Sequence, residues 1–137
     1  MKNQARVVVV GGGVVGVATL YQLAKQGWRD VVLVERNELT SGSTWHAAGL
    51  LPLFNMSYSV GQIHKHSVKL YQGLEAETGQ AVGFSQVSNI RLAMNNDRMD
   101  EYHQYAGVAE TIGVEVKFLS PEQVQEIWPL CNIDGLV

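Results

Sequence analysis

The chain has 137 residues, with 10 Lys plus Arg against 13 Asp plus Glu, a formal net charge of −3 at pH 7. Apolar residues make up 46% and charged residues 17%, the balance of a globular chain rather than a disordered one, and a pI near 5.7 leaves no electrostatic footprint for nucleic acid. A single cysteine, Cys131, excludes an internal disulfide framework and a multi-cysteine zinc site, and no run approaches the roughly 18 apolar residues of a membrane span.

Length sets an expectation of one domain that buries roughly 70% of its unfolded surface. The apolar run Val7 to Val10 is too short for the core of a secretory leader and leads into glycines, so no such leader is expected. Charge is uneven. Residues 1–46 hold five basic against three acidic side chains, net +2, and residues 47–137 carry the remaining −5. That is compatible with a phosphate-bearing ligand near the N-terminus.

Residues 6–10, Arg-Val-Val-Val-Val, read as a short buried strand of a parallel sheet. From Val14 to Gln26 the spacing becomes helical, with Val14, Ala18, Leu20, Tyr21 and Ala24 as the packed face and Gly27 as the stop. Val31 to Val34 gives a second strand, ending in Glu35. Strand, helix and strand within about 30 residues make a βαβ unit, whose crossover is right-handed in almost every case.

Arg36 to Pro52 breaks into Ser, Thr, Gly and Ala around a Trp-His pair and reads as a structured loop. A helix is predicted over Val60 to Glu77, capped by Ser59 and followed by Gly79. Phe84 to Met94 reads as a strand, and Asn96 or Asp97 caps a helix running to Ile112 and stopped by Gly113. Val114 to Leu119 reads as another strand. Ser120-Pro121-Glu122-Gln123 then places Ser at the N-cap, Pro at N1 and Gln at N3, a helix start. Two parallel strands do not complete a doubly wound sheet, so the chain is read as the N-terminal piece of a longer protein.

Gly11-Gly12-Gly13-Val14-Val15-Gly16 satisfies G-x-G-x-x-G between a strand and a helix, where dinucleotide binding needs it. Gly11 permits the tight turn, Gly13 lets a pyrophosphate approach the backbone, and Gly16 lets the helix pack close to the strand. The amides at the helix start, Val14 and Val15 among them, then point at phosphate oxygens. Glu35 stands 19 residues after Gly16, placed to bond the ribose hydroxyls of an adenosine and to repel a 2′-phosphate. The competing reading is a purely structural glycine turn.

The fingerprint does not separate NAD from FAD; the next segment bears on that. A nicotinamide dehydrogenase commonly enters another helix soon after the acid, whereas this chain runs a small-residue loop with hydroxyls at Ser41, Ser43 and Thr44 and an imidazole at His46. Small residues admit a large flat ligand, and hydroxyls can bond a pyrophosphate or ribityl chain.

The stretch VVVVGGGVVGVATLYQLAKQGWRDVVLVERNELTSGSTWHAAGLLPLFN resembles the N-terminus of the dimethylglycine dehydrogenase and sarcosine dehydrogenase family. The likeness continues through SYSVGQIHKHSVKLYQGLEAETG, NIRLA and SPEQVQEIWPL, essentially to the end of the chain. These are FAD enzymes with the D-amino-acid-oxidase type of fold. The resemblance implies an α/β, Rossmann-like FAD-binding βαβ unit followed by the start of an antiparallel-sheet substrate domain. Residues 1–83 would then be the N-terminal part of the FAD-binding domain, and residues 84–137 the beginning of the substrate domain. One departure is Leu20, where alanine is common in FAD proteins; it asks for a slightly wider helix–sheet gap.

Carried over residue by residue, the resemblance makes Gly11, Gly13, Val14, Val15 and Gly16 the phosphate turn, with Glu35 and Arg36 at the ribose end. Ser43 and Thr44 match the loop that bonds the FAD phosphates. His46 falls where relatives attach FAD covalently through the imidazole and the flavin 8α-methyl; the alternative is an ordinary loop histidine. The implied reaction is oxidation of dimethylglycine or sarcosine by hydride transfer to flavin N5. It leaves an iminium that yields formaldehyde or a tetrahydrofolate adduct, which is one-carbon metabolism. Implied partners are a small-molecule substrate, the remainder of the full-length chain and tetrahydrofolate, with neither nucleic acid nor membrane. The implied location is cytoplasmic, or the mitochondrial matrix in a eukaryote, although no transit peptide is evident.

No catalytic base is assigned. Arg91 is a candidate for binding a substrate carboxylate. His64 and His66 are two apart in a helix and point to different faces, so no metal pair is expected. His103 sits on a mixed polar stretch, Cys131 reads as a buried thiol, and Trp28, Tyr58, Tyr71 and Trp128 read as packing residues. Two rival readings are another FAD enzyme of this fold acting on a different secondary or tertiary amine, and a truncated, non-catalytic dinucleotide-binding fragment.

Overall fold

The computed structural model describes residues 3–137 and divides into two compact units, Met1–Leu50 and Leu51–Val137. The first holds β1 (Val7–Val10), α1 (Val14–Lys25) and β2 (Val31–Val34). The strands pair in parallel, with Val7 opposite Val31 and Val10 opposite Val34. β-Branched residues favour this pleated pairing, and the helix between the strands supplies the crossover that parallel strands require. α1 packs on both strands.

The strands are less covered than the pattern suggests. Along β1, half-buried and exposed residues alternate, and Val8 and Val10 are 53% and 82% exposed. Only one face of this two-stranded sheet carries a helix, which turns a predicted fully buried strand into a half-buried one. The packed side of α1 also differs in detail. Gly16, Ala18, Leu20 and Tyr21 are half-buried, but Val14 and Ala24 are exposed. The helix ends at Lys25 with Gln26 as C-cap, followed by Gly27 at φ 89°.

The second unit holds α2 (Tyr58–Thr78), α3 (Asn96–Ile112) and α4 (Pro121–Ile127). Each helix starts on a side-chain cap. Ser57, rather than Ser59, accepts from Val60 N, and Asn95, rather than Asn96 or Asp97, accepts from Arg98 N. Ser120 and Gln123 form the predicted capping box. α2 and α3 end at Gly79 and Gly113, both left-handed. The two helices cross closely at Gly61 and Ile112, and Lys65 Nζ donates to the Ile112 carbonyl at 2.7 Å, satisfying an orphan acceptor at the end of α3. Ala93, Ala109, Ile112, Val124 and Cys131 form the buried apolar core, all within this unit.

Phe84 to Met94 and Val114 to Leu119 are not strands, and no antiparallel sheet occurs among the described residues. A strand needs a ladder partner, and here the polar backbone is held by other groups. Tyr102 Oη donates to the Leu92 carbonyl at 3.2 Å, and Val137 N donates to the Ala93 carbonyl at 3.1 Å. The segment leading into α2 is held in the same way. His64 Nδ1–H donates to the Pro52 carbonyl at 2.5 Å, and Arg91 Nη2 donates to the Phe54 carbonyl at 2.8 Å.

Candidate dinucleotide-binding site

The site is built where β1 runs into α1. Gly11 adopts φ 105°, a conformation that side chains disfavour, and its amide donates to the Val34 carbonyl at 2.8 Å, carrying the sheet pairing into the turn. Gly16 is required for a different reason: a Cβ there would overlap the Gly11 carbonyl oxygen, which is backbone and cannot swing aside. The helix therefore approaches the turn at a distance that only glycine allows.

Gly13 is the N-cap of α1 and brings no side chain to it. The cap comes from 30 residues away. Thr44 Oγ1 accepts the Val14 amide at 2.9 Å, and a Cβ on Gly13 would stand 3.0 Å from that same oxygen. An oxygen at a helix start is where a phosphate oxygen is best received, because unpaired amides and the helix dipole converge there. Val15 is exposed beside it.

Glu35 closes the turn from β2. Its Oε2 accepts the Gly12 amide at 2.6 Å and its Oε1 accepts the Asn37 amide at 2.9 Å. These bonds, that of Gly12 foremost, hold the carboxyl below its ordinary value, with the Arg36 amide and charge adding to the effect. The residue expected to bind ribose is thus also a brace for the glycine turn. Each carboxylate oxygen keeps a further lone pair for a hydroxyl donor.

The loop after Glu35 folds back on the turn. Thr40 N donates to the Gly12 carbonyl at 2.9 Å, and Trp45 N donates to the Thr40 carbonyl at 3.1 Å. Ser43 contributes its carbonyl to His46 N at 3.2 Å. His46 Nδ1–H donates to the Gly42 carbonyl at 3.0 Å, and the Trp45 ring meets the imidazole edge-on at 6.3 Å between centroids. With Nδ1 engaged, Nε2 is the nitrogen that keeps its lone pair.

Gly11, Gly13, Val14, Val15, Gly16, Glu35, Arg36, Ser43, Thr44 and His46 all belong to this one unit. The sequence reading missed Gly12 and Thr40, the first because its position in the fingerprint is unrestricted and the second because a threonine gives no signal of left-handed backbone. The donor set fits the pyrophosphate of a dinucleotide. Gly13 has no side chain to obstruct it, Thr44 Oγ1 stands at the start of the helix, and the amides of Gly13, Val15 and Gly16 are not those taken up by Glu35 or Thr44.

The other candidates stay with the second unit. The Arg91 guanidinium lies over the Phe54 ring at 4.9 Å and near Tyr105 at 5.8 Å. His103 stacks on Phe118 at 4.1 Å, Tyr71 stacks on Phe84 at 5.8 Å, and Cys131 is buried. In the first unit, Arg6 lies over Trp28 at 4.9 Å. Among the described residues no group of three or more His, Cys, Asp or Glu side chains is arranged to hold a metal, and no helix is long and apolar enough to cross a membrane.

Comparison with known proteins places this geometry in a family. Dimethylglycine dehydrogenase, mitochondrial, of Rattus norvegicus is 47% identical over 136 residues, covering 99% of this chain and 16% of the relative. Sarcosine dehydrogenase, mitochondrial, of Homo sapiens is 41% identical over 137 residues, 99% of this chain and 15% of the relative. The chain therefore spans about a sixth of the length of the curated relatives it matches. Among solved structures, L-proline dehydrogenase from P. horikoshii superposes on all of this chain with a TM-score of 0.91 at 27% identity, over 36% of its own length. The sequence profile of the FAD dependent oxidoreductase family matches residues 6–137, and the chain belongs to that family, whose cofactor is FAD.

Proposed function

We propose that the chain forms the nucleotide-binding start of an enzyme that oxidises an N-methylated glycine, dimethylglycine or sarcosine. The observation that carries the reading is the joining of two features in one unit: a glycine turn braced by Glu35 and Thr44, and a loop that presents His46 with Nδ1 tied to the Gly42 carbonyl. FAD would supply the two-electron acceptor, at N5, for a hydride equivalent from the N-methyl carbon, and the substrate iminium left behind would be resolved by water or a folate. The protein's own part is to bind and orient. Glu35 and Arg36 would receive the adenosine ribose, and the amides of the turn and the hydroxyls of Ser43 and Thr44 the phosphates. His46 would be the attachment residue, its Nε2 replacing one hydrogen of the flavin 8α-methyl, with that proton lost to solvent and the two electrons taken up by the flavin ring.

In this reading residues 1–83 belong to the FAD-binding domain and residues 84–137 open the substrate domain, completed by chain outside this sequence. The mitochondrial relatives support a mitochondrial location, and tetrahydrofolate is the alternative to water as acceptor of the one-carbon unit. The test is anaerobic titration of the full-length protein with dimethylglycine, sarcosine and other secondary and tertiary amines, following the bleaching of the flavin's visible absorbance. Bleaching by the methylated glycines with formaldehyde release supports the assignment. Bleaching only by another amine moves the enzyme to a different substrate within the family, and a colourless protein removes the enzymatic reading.

A further inference from the structure

Thr40 is the one non-glycine residue with positive φ among the described residues, at 65°. A β-branched side chain is poorly tolerated there, because its Cβ crowds the neighbouring carbonyl, and such a conformation persists only where the surroundings impose it. The surroundings are the two hydrogen bonds of its own backbone. Its amide donates to the Gly12 carbonyl at 2.9 Å and its carbonyl accepts from Trp45 N at 3.1 Å. Gly12 is held from the other side as well, by Glu35 Oε2 on its amide, and Leu39 Cδ2 stands 2.6 Å from where a Gly12 Cβ would lie. One left-handed residue thus joins the middle of the glycine turn to the turn that carries Trp45 and His46.

We propose that Thr40 is a positioning residue for the cofactor: its backbone sets the His46 turn against the phosphate-binding turn, so that both ends of the loop meet FAD in one fixed geometry. This rests on the FAD site described above and adds to it a residue that acts through the backbone of the two turns it joins. The role belongs to the backbone, not to the threonine hydroxyl, and that distinction is what an experiment can read.

In the full-length protein, Thr40→Gly and Thr40→Asn accept φ 65° and keep both hydrogen bonds, so bound flavin and the acid-stable fraction should stay within about twofold of wild type. Thr40→Pro removes the amide donor and fixes φ near −65°, and FAD affinity should fall by about tenfold or more with loss of the acid-stable fraction. Hydrogen exchange of the apoprotein supplies a readout without flavin. Residues 41–46 should exchange faster in the proline variant while α2 and α3 keep their protection. If that variant does not fold, replacing Thr40 by its α-hydroxy acid analogue exchanges the amide N–H for an ester oxygen without fixing φ and should give the same result. Wild-type flavin content and wild-type exchange in either of these two would overturn the proposal, as would loss of flavin in both the glycine and asparagine variants. A wild-type protein without flavin would overturn the FAD reading instead, and the exchange comparison would still decide the role of Thr40.

Discussion

The Gly12 amide donates to Glu35 Oε2 at 2.6 Å, so the acid at the end of β2 and the middle of the glycine turn form one hydrogen-bonded unit. The bond favours the ionised carboxylate, and with the Asn37 amide it lowers the folded-state pKa below the ordinary value of 4.5. A depressed pKa means stabilisation that is present above pH 4.5 and is lost as the pH falls through the folded value. In apoprotein, the melting difference between wild type and Glu35→Gln should therefore be largest near neutrality and shrink on acidification below that point. A constant difference across the range would mean that the Gly12 bond does not govern the titration. Glu35→Arg should also lose FAD affinity, measured by calorimetry on protein produced without flavin, because the substitution removes the carboxylate acceptors and places a cation at the end of β2.

Gly16→Ala tests the close packing of α1. Its new methyl would overlap the Gly11 carbonyl oxygen, so the helix start must move, at a cost of roughly 1–3 kcal/mol or more. FAD binding should be lost along with the stability. Gly42→Ala is the control. Its Cβ would meet nothing within 4 Å, its carbonyl still accepts from His46 Nδ1, and flavin content should be unchanged.

Covalent attachment at His46 predicts a coloured pellet when the full-length protein is precipitated with acid. His46→Ala and His46→Asn should release free FAD under the same treatment while still binding it in native buffer, because the glycine turn, Glu35 and Thr44 are untouched. Flavin that washes out of the wild type would make His46 a contact residue only.

Residues 1–137 expressed alone should aggregate or expose apolar surface to a hydrophobic dye. The sheet has two strands and hence two open edges, and Val8, Val10 and Val15 are exposed, the last at 77%. A sharp, reversible melt from a monomer would contradict this.

Where local signals suffice, the fold was legible in the sequence. Four β-branched residues before glycines gave β1, valines before Glu35 gave β2, and Ser120-Pro121 with Gln123 gave the start of α4 almost atom by atom. Helix caps slipped by one or two residues because Ser57 and Ser59, or Asn95 and Asn96, are locally equivalent candidates. Phe84 to Met94 reads as a strand but forms none, because a local segment says nothing of whether a ladder neighbour is present. In the site, the glycines and Glu35 could be read from spacing. Thr44 capping α1 and Thr40 bonding Gly12 could not, because each links residues some 30 apart through a loop whose path composition does not encode.

At the crossing of α2 and α3, a Cβ on Gly61 would collide with the Ile112 side chain. Helix axes this close leave room for one bulky residue, not two. Among homologues the two positions should therefore change together: a larger residue at 61 accompanied by a smaller one at 112, or a wider interhelix gap where both are large. Residue exchange at either position alone would be selected against even though neither belongs to the site, so this contact would record evolutionary history in correlated pairs rather than in single invariant letters.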